Sequence, residues 1–307
     1  MLTSFFGKSN PINYLLLAIF ILTGYILWLI RSVESPVELI ATIEYSAFAI
    51  ISVFSMLLLD FIIRKNRLTK NNTYGILFFS CFLISFQTII IEKNILIATV
   101  FILLALRRVL SLYTLKNTEK KILDAAIWIS IASFFYFWCL LFFLLLYFAL
   151  FLKPKTNYKQ FIIPIGGFLG MFVIRTCLHI LRADSFNLFS EWQSEIGIDF
   201  SAYNEGAILL PVTVMATFLL WTGVPRLIRI PSLQKNERIK AVVVLLSLII
   251  TISIAMAGPK KTGGELLFII GPLAIIITNY LESISEFWFK ELLLWLALLI
   301  PTTVFLL

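Results

Sequence analysis

The 307-residue chain has a single histidine, and that scarcity removes one class of chemistry at once. His179 alone cannot build a multi-histidine metal centre. Cysteine is nearly as scarce: Cys81, Cys139 and Cys177 each sit alone inside an apolar run, without metal-type or redox spacing, and read as small buried hydrophobes. There is no P-loop, no GxSxG nucleophile elbow and no CxxC pair. No metal and no cofactor is expected. Charge is also sparse, at 14% of residues against about 25% in soluble domains.

What fills the space is apolar. Hydrophobic residues make up 60% of the chain and the mean hydropathy is +0.98, which marks an integral membrane protein. The 29 phenylalanines run through every apolar stretch as lipid-facing and packing bulk. The formal charge of +8 would suggest nucleic acid in a soluble chain. Here the bases concentrate in loops between apolar runs, as the positive-inside rule places them, so the expected partners are membrane lipids and no nucleic acid. The run over residues 14–30 is long enough to span, and no small-residue cleavage site follows it, so a retained first span is expected rather than a signal peptide.

Taken in order, the first span ends at Arg31, and Glu34, Glu38 and Glu44 follow on the other side. Arg64, Lys65, Arg67 and Lys70 share one short loop with no acid, which predicts that this side and the N-terminus are cytoplasmic. Runs over 73–91 and 95–113 go out and back, with Lys116, Lys120 and Lys121 inside again. Residues 122–152 would make a single helix of roughly 46 Å against a hydrocarbon core of about 30 Å. Both ends of that stretch are basic. A hairpin of two short helices turning near 134–139 satisfies both constraints and is preferred to one tilted helix. Residues 161–181 lead to the only long loop, 183–206, which is acidic and aromatic, contains Asp184, Glu191, Glu195, Asp199 and Glu205, and is expected outside, on the membrane surface or over the outer mouth. Runs over 207–224, 241–258, 266–280 and 287–307 complete the chain, the last expected to end outside. The fold predicted is an all-α polytopic transmembrane bundle, one domain over 1–307, with about eleven hydrophobic segments.

The stretch 241–282 carries the best functional signal. Pro259-Lys260-Lys261-Thr262-Gly263-Gly264-Glu265 puts two lysines in a turn expected on the outer side, where lysine is scarce. Arg175, His179 and Arg182 are spaced four and three apart and share one helix face expected to point the same way. These five residues are candidates to hold a phosphate or pyrophosphate headgroup, with Gly263-Gly264 allowing close backbone approach. The alternative is snorkelling to lipid phosphates and pairing with the acidic loop. Glu34 and Glu38 are candidate general bases beside such a site, or solvated carboxylates at a helix start.

Two stretches are similar to the membrane-embedded glycosyltransferases of the C-type fold that use polyprenyl-phosphate sugars. One runs from Lys120-Lys121 to Lys155, a basic start, an apolar helix, an aromatic turn and a second apolar helix with a basic end. The other is Pro259-Lys260-Lys261 followed by Glu265 and Gly271-Pro272-Leu273-Ala274. The resemblance implies a polyprenyl-phosphate lipid held by Lys260, Lys261, Arg175 and Arg182, and an acid of the first external loop near the transfer site. Glu34, or next Glu38, corresponds by location. Separately, Phe5-Phe6-Gly7-Lys8-Ser9-Asn10-Pro11-Ile12-Asn13 resembles the opening of a multi-span inner-membrane family of Bacteroidota bacteria, which implies no particular activity. Two functions are therefore expected in parallel. One is a glycosyltransferase-like protein, or an inactive relative serving as a subunit. The other is a transporter or scaffold subunit of an envelope complex, partnered by other membrane subunits.

Overall fold

A computed structural model describes residues 1–32, 39–86, 92–114, 116–154, 156–183 and 195–306. Its regular structure is helical, with no strand among the described residues. The helices are α1 (Leu2–Phe6), α2 (Pro11–Ser32), α3 (Leu39–Asn66), α4 (Tyr74–Ser85), α5 (Lys93–Ser111), α6 (Thr118–Phe135) and α7 (Phe142–Leu152). They continue with α8 (Tyr158–Ala183), α9 (Gly206–Arg229), α10 (Lys235–Ala257), α11 (Leu267–Ser283) and α12 (Phe287–Leu306). Helices are the only open-ended element that satisfies its own backbone groups where lipid offers no partner.

Eight helices among the described residues are long and apolar enough to cross a membrane. The expected count of about eleven segments is therefore not reached as spans. The difference has a physical cause: α4 has 12 residues, about 18 Å of helix, and the 137–152 stretch is likewise too short to cross a 30 Å core. The sequence run 73–91 extends partly beyond the described residues.

The hairpin is present. Helix α6 stops at Phe135, Tyr136 is extended, a 3₁₀ turn covers Phe137–Leu141, and α7 returns. The Tyr113 hydroxyl before α6 donates to the Ala149 carbonyl near the end of α7, so both basic ends lie on one side. By contrast, Gly271-Pro272 breaks nothing, because α11 runs through it without interruption.

At the centre lies α11, whose apolar residues are distributed all round; 89% of its span is buried, against 11% for the peripheral α8. Helices α4, α5, α9 and α10 pack around α11. Gly271 suits the close packing there, since an added Cβ would lie 3.0 Å from a Leu103 methyl and that side chain would have to shift. Polar side chains tie the loops down. Asn13 donates to the Phe5 and Lys8 carbonyls and to the Thr73 hydroxyl. Glu291 of α12 accepts from the Leu2 and Thr3 backbone N–H groups, closing the N-terminus of α1. Deep in the core the Trp28 indole donates to the Ile84 carbonyl at 2.8 Å.

These contacts sort the bundle into two ends. Lys93 at the start of α5 pairs with Glu44 near the start of α3 at 2.8 Å, so both helices begin at the same end. They run to the other end, where Arg107 lies over the Phe61 ring and the Lys240 amine reaches the Asn66 carbonyl. The basic loops around 64–70 and 226–240 share that second end. The 258–265 turn belongs to the first.

Candidate functional site

The site at the first end is assembled from the turn joining α10 to α11 and the segment 195–205 that lies over it. The Gly197 N–H donates to the Gly258 carbonyl at 3.1 Å. That approach leaves no room for a side chain at Gly197, because a Cβ would overlap the Pro259 carbonyl oxygen. Phe200 lies over the Lys261 amine, 5.5 Å from the ring centroid. The Tyr203 hydroxyl donates to Glu265 Oε1 at 2.7 Å.

Glu265 is fully buried, and it is the only carboxylate in the buried class among the described residues. Its Oε2 is enclosed without a hydrogen-bond partner. The Tyr136 hydroxyl, at the tip of the α6–α7 hairpin and against Gly258, is enclosed in the same condition. Such groups ordinarily find partners, since leaving one unmade inside apolar surroundings costs about 1–3 kcal/mol. Burial, and next the neighbouring Glu265 carboxylate, push the Tyr203 phenol above its ordinary pKa.

The two lysines of the turn behave differently. Lys261 is 5% exposed, and its amine donates to the Ala255 and Met256 carbonyls at 2.8 and 2.6 Å, closing the C-terminus of α10. Burial lowers its pKa, and the nearby Glu265 charge opposes that shift. Lys260 is exposed and lines a crevice of about 180 Å³ with Glu92, Asn94, Tyr136 and Thr262. A cation, a carboxylate, hydroxyls and an amide surround that volume, so waters fit it readily, and a small anionic group would rest on Lys260 against the opposing charge of Glu92. The glycine pair is explained locally. Gly263 sits at φ 85, the left-handed region that glycine enters without strain, and a Cβ added at Gly264 would lie 3.1 Å from the Glu92 side chain.

The remaining sequence candidates are placed as follows. Arg175 stacks over the Phe134 ring at 4.9 Å, and His179, one turn further along α8, has Nε2 enclosed without a hydrogen-bond partner. Neither is among the crevice walls. Arg182 belongs to α8, and its side chain lies outside the described residues, as do Glu34 and Glu38. Sequence reasoning missed Tyr136, Tyr203 and Glu92. Glu265 is legible in the sequence as the acid that closes the 259–265 turn of the outer cluster, but not as a buried residue.

A family model matches residues 7–306, and its description is "Family of unknown function (DUF6427)". The chain belongs to that family. No curated protein and no solved structure matches it. Membership in DUF6427 therefore covers nearly the whole bundle, including the 258–265 turn and the hairpin tip that meets it.

Proposed function

We propose that this DUF6427 protein lies in the bacterial inner membrane with a cytoplasmic N-terminus, and that its outer end binds a phosphate-bearing lipid in the manner of a polyprenyl-phosphate-dependent glycosyltransferase. The observation that carries the reading is the Lys260 crevice, formed by the same turn whose Lys261 and buried Glu265 are held by the 195–205 segment. In this reading Lys260 contacts the phosphate. Arg175, His179 and Arg182 form a basic rim along α8, and Lys261 holds the turn from inside. Glu34 or Glu38 serves as the base that activates an acceptor hydroxyl.

Two tests address it. In intact cells a cysteine placed at Thr262 or Ser201 is expected to react with an impermeant thiol reagent, and one at Lys235 only after permeabilisation; the reverse pattern overturns the orientation. In nanodiscs containing a polyprenyl phosphate, Lys260→Ala is expected to lower affinity about tenfold at unchanged thermal stability, the scale of one lost charged hydrogen bond. Equal binding by the variant removes the lipid-phosphate reading.

A second reading, a transporter or scaffold subunit without catalysis, is favoured by a specific feature. The Lys261 amine and one Glu265 oxygen are satisfied by protein groups. The aspartate-rich signature of the glycosyltransferases' first external loop is also absent between Arg31 and Glu44.

A further inference from the structure

The opposite end of the bundle holds a cavity of about 470 Å³, larger than the Lys260 crevice. Its walls come from the 67–70 loop after α3, the end of α9, the start of α10 and the end of α11. Five bases line it, Arg67, Lys70, Arg226, Arg229 and Lys240, against two acids, Glu237 and Glu282, a net of three positive charges.

The wall is built rather than incidental. Glu282 accepts from the Lys70 backbone N–H at 2.7 Å and from the Asn72 side chain, and the Lys240 amine donates to the Asn66 carbonyl at 2.7 Å. Those bonds hold the 66–72 loop from both sides. Within it Arg67 takes φ 51, a left-handed conformation that a non-glycine residue adopts only when its surroundings impose it. The bonds occupy the Lys240 amine and one Glu282 oxygen, and Glu282 and Glu237 also act on the Arg226 charge, so two acids offset part of the five bases. Arg67, Arg226 and Arg229 form no salt bridge among the described residues. Positive charges at a cytoplasmic helix end ordinarily spread over the surface. Gathering three guanidinium groups and two amines on one concavity is unfavourable through mutual repulsion unless an anion compensates.

We propose that this cavity is a binding site for a phosphate-bearing anion, held by Arg67, Arg226 and Arg229. The planar fork of arginine donors matches phosphate oxygens, and the volume lies in the range of small-molecule sites. Two sources present that chemistry: the headgroup of an acidic phospholipid in the adjacent leaflet, and a soluble phosphate ester or pyrophosphate. The site is independent of the lipid-phosphate reading of the other end.

The test uses the purified full chain in neutral detergent, titrated separately with inorganic pyrophosphate and with dihexanoyl phosphatidic acid. Saturable binding of at least one probe is expected, weakened about tenfold or more in the Arg67→Gln/Arg226→Gln double variant. Lys116→Gln/Lys120→Gln, which removes two bases outside the cavity, is expected to bind as wild type does. Pyrophosphate binding identifies a soluble anion, and binding of the phosphatidic acid alone identifies a headgroup. Should the first double variant fail to fold, Lys70→Gln/Arg229→Gln removes two exposed side chains of the same wall and is expected to show the same loss. No saturable binding of either probe, retained affinity in the folded cavity variant, or an equal loss in the Lys116/Lys120 control overturns the proposal.

Discussion

Glu265→Leu is expected to lower stability by about 2–3 kcal/mol, whereas Glu265→Gln stays within about 1 kcal/mol of wild type. Leucine removes the acceptor of the Tyr203 hydroxyl and leaves that phenol half-buried without a partner. It adds apolar burial, which offsets part of the loss but restores no hydrogen bond. Glutamine keeps a carbonyl oxygen where Oε1 now accepts, so the Tyr203 hydroxyl retains its acceptor. Detergent-unfolding curves followed by tryptophan fluorescence measure the difference. If leucine proves as stable as glutamine, water replaces the Glu265 contact and the 195–205 segment is not held by it. Lipid binding then separates structure from function: a glutamine variant that is stable but no longer binds would mean that the carboxylate charge itself is used.

The contrast between what could and could not be read from sequence follows from how local each feature is. Membrane class and all-α architecture rest on composition and run length, which the chain carries everywhere. The 122–152 hairpin was legible because two local facts, excess length and a base cluster at each end, forced one conclusion. The span count was less legible, since α4 is enclosed on every side and needs no full membrane thickness of its own. Gly271-Pro272 is a local signal for a helix break, because proline lacks an N–H, yet α11 runs through it. Neighbouring helices bury 89% of that span, and the glycine there serves the close approach to Leu103.

The candidate sites are less legible still. Tyr203 and Glu265 are 62 positions apart, and nothing local announces that one donates to the other. The bases of the large cavity lie between apolar runs, Arg67 and Lys70 in one loop and Arg226, Arg229 and Lys240 in another, so the sequence shows each as loop charge. Their convergence depends on the ends of α9 and α11 meeting the start of α10, which periodicity does not encode. The lysine pair shows the same limit in miniature, since two adjacent identical residues took opposite roles.

That division yields the last expected result. Lys261→Met should cost about 2–3 kcal/mol, while Lys260→Ala stays within about 0.5 kcal/mol of wild type. Methionine preserves much of the apolar stem but donates nothing, so the Ala255 and Met256 carbonyls at the end of α10 lose the amine that now satisfies both. The cation also leaves the face of Phe200, loosening the segment that covers the turn. Lys260, by comparison, is exposed and takes part in none of these bonds. From sequence alone, removing both lysines would leave folding intact, because a turn facing water contributes little packing. The buried position of Lys261 corrects that expectation, and it makes the double variant an unsuitable test of phosphate binding. Thermal unfolding of the two single variants in the same detergent decides the matter. Should Lys261→Met unfold like wild type yet fail to bind a polyprenyl phosphate, the amine is not needed by the α10 carbonyls, and its role is to hold the ligand.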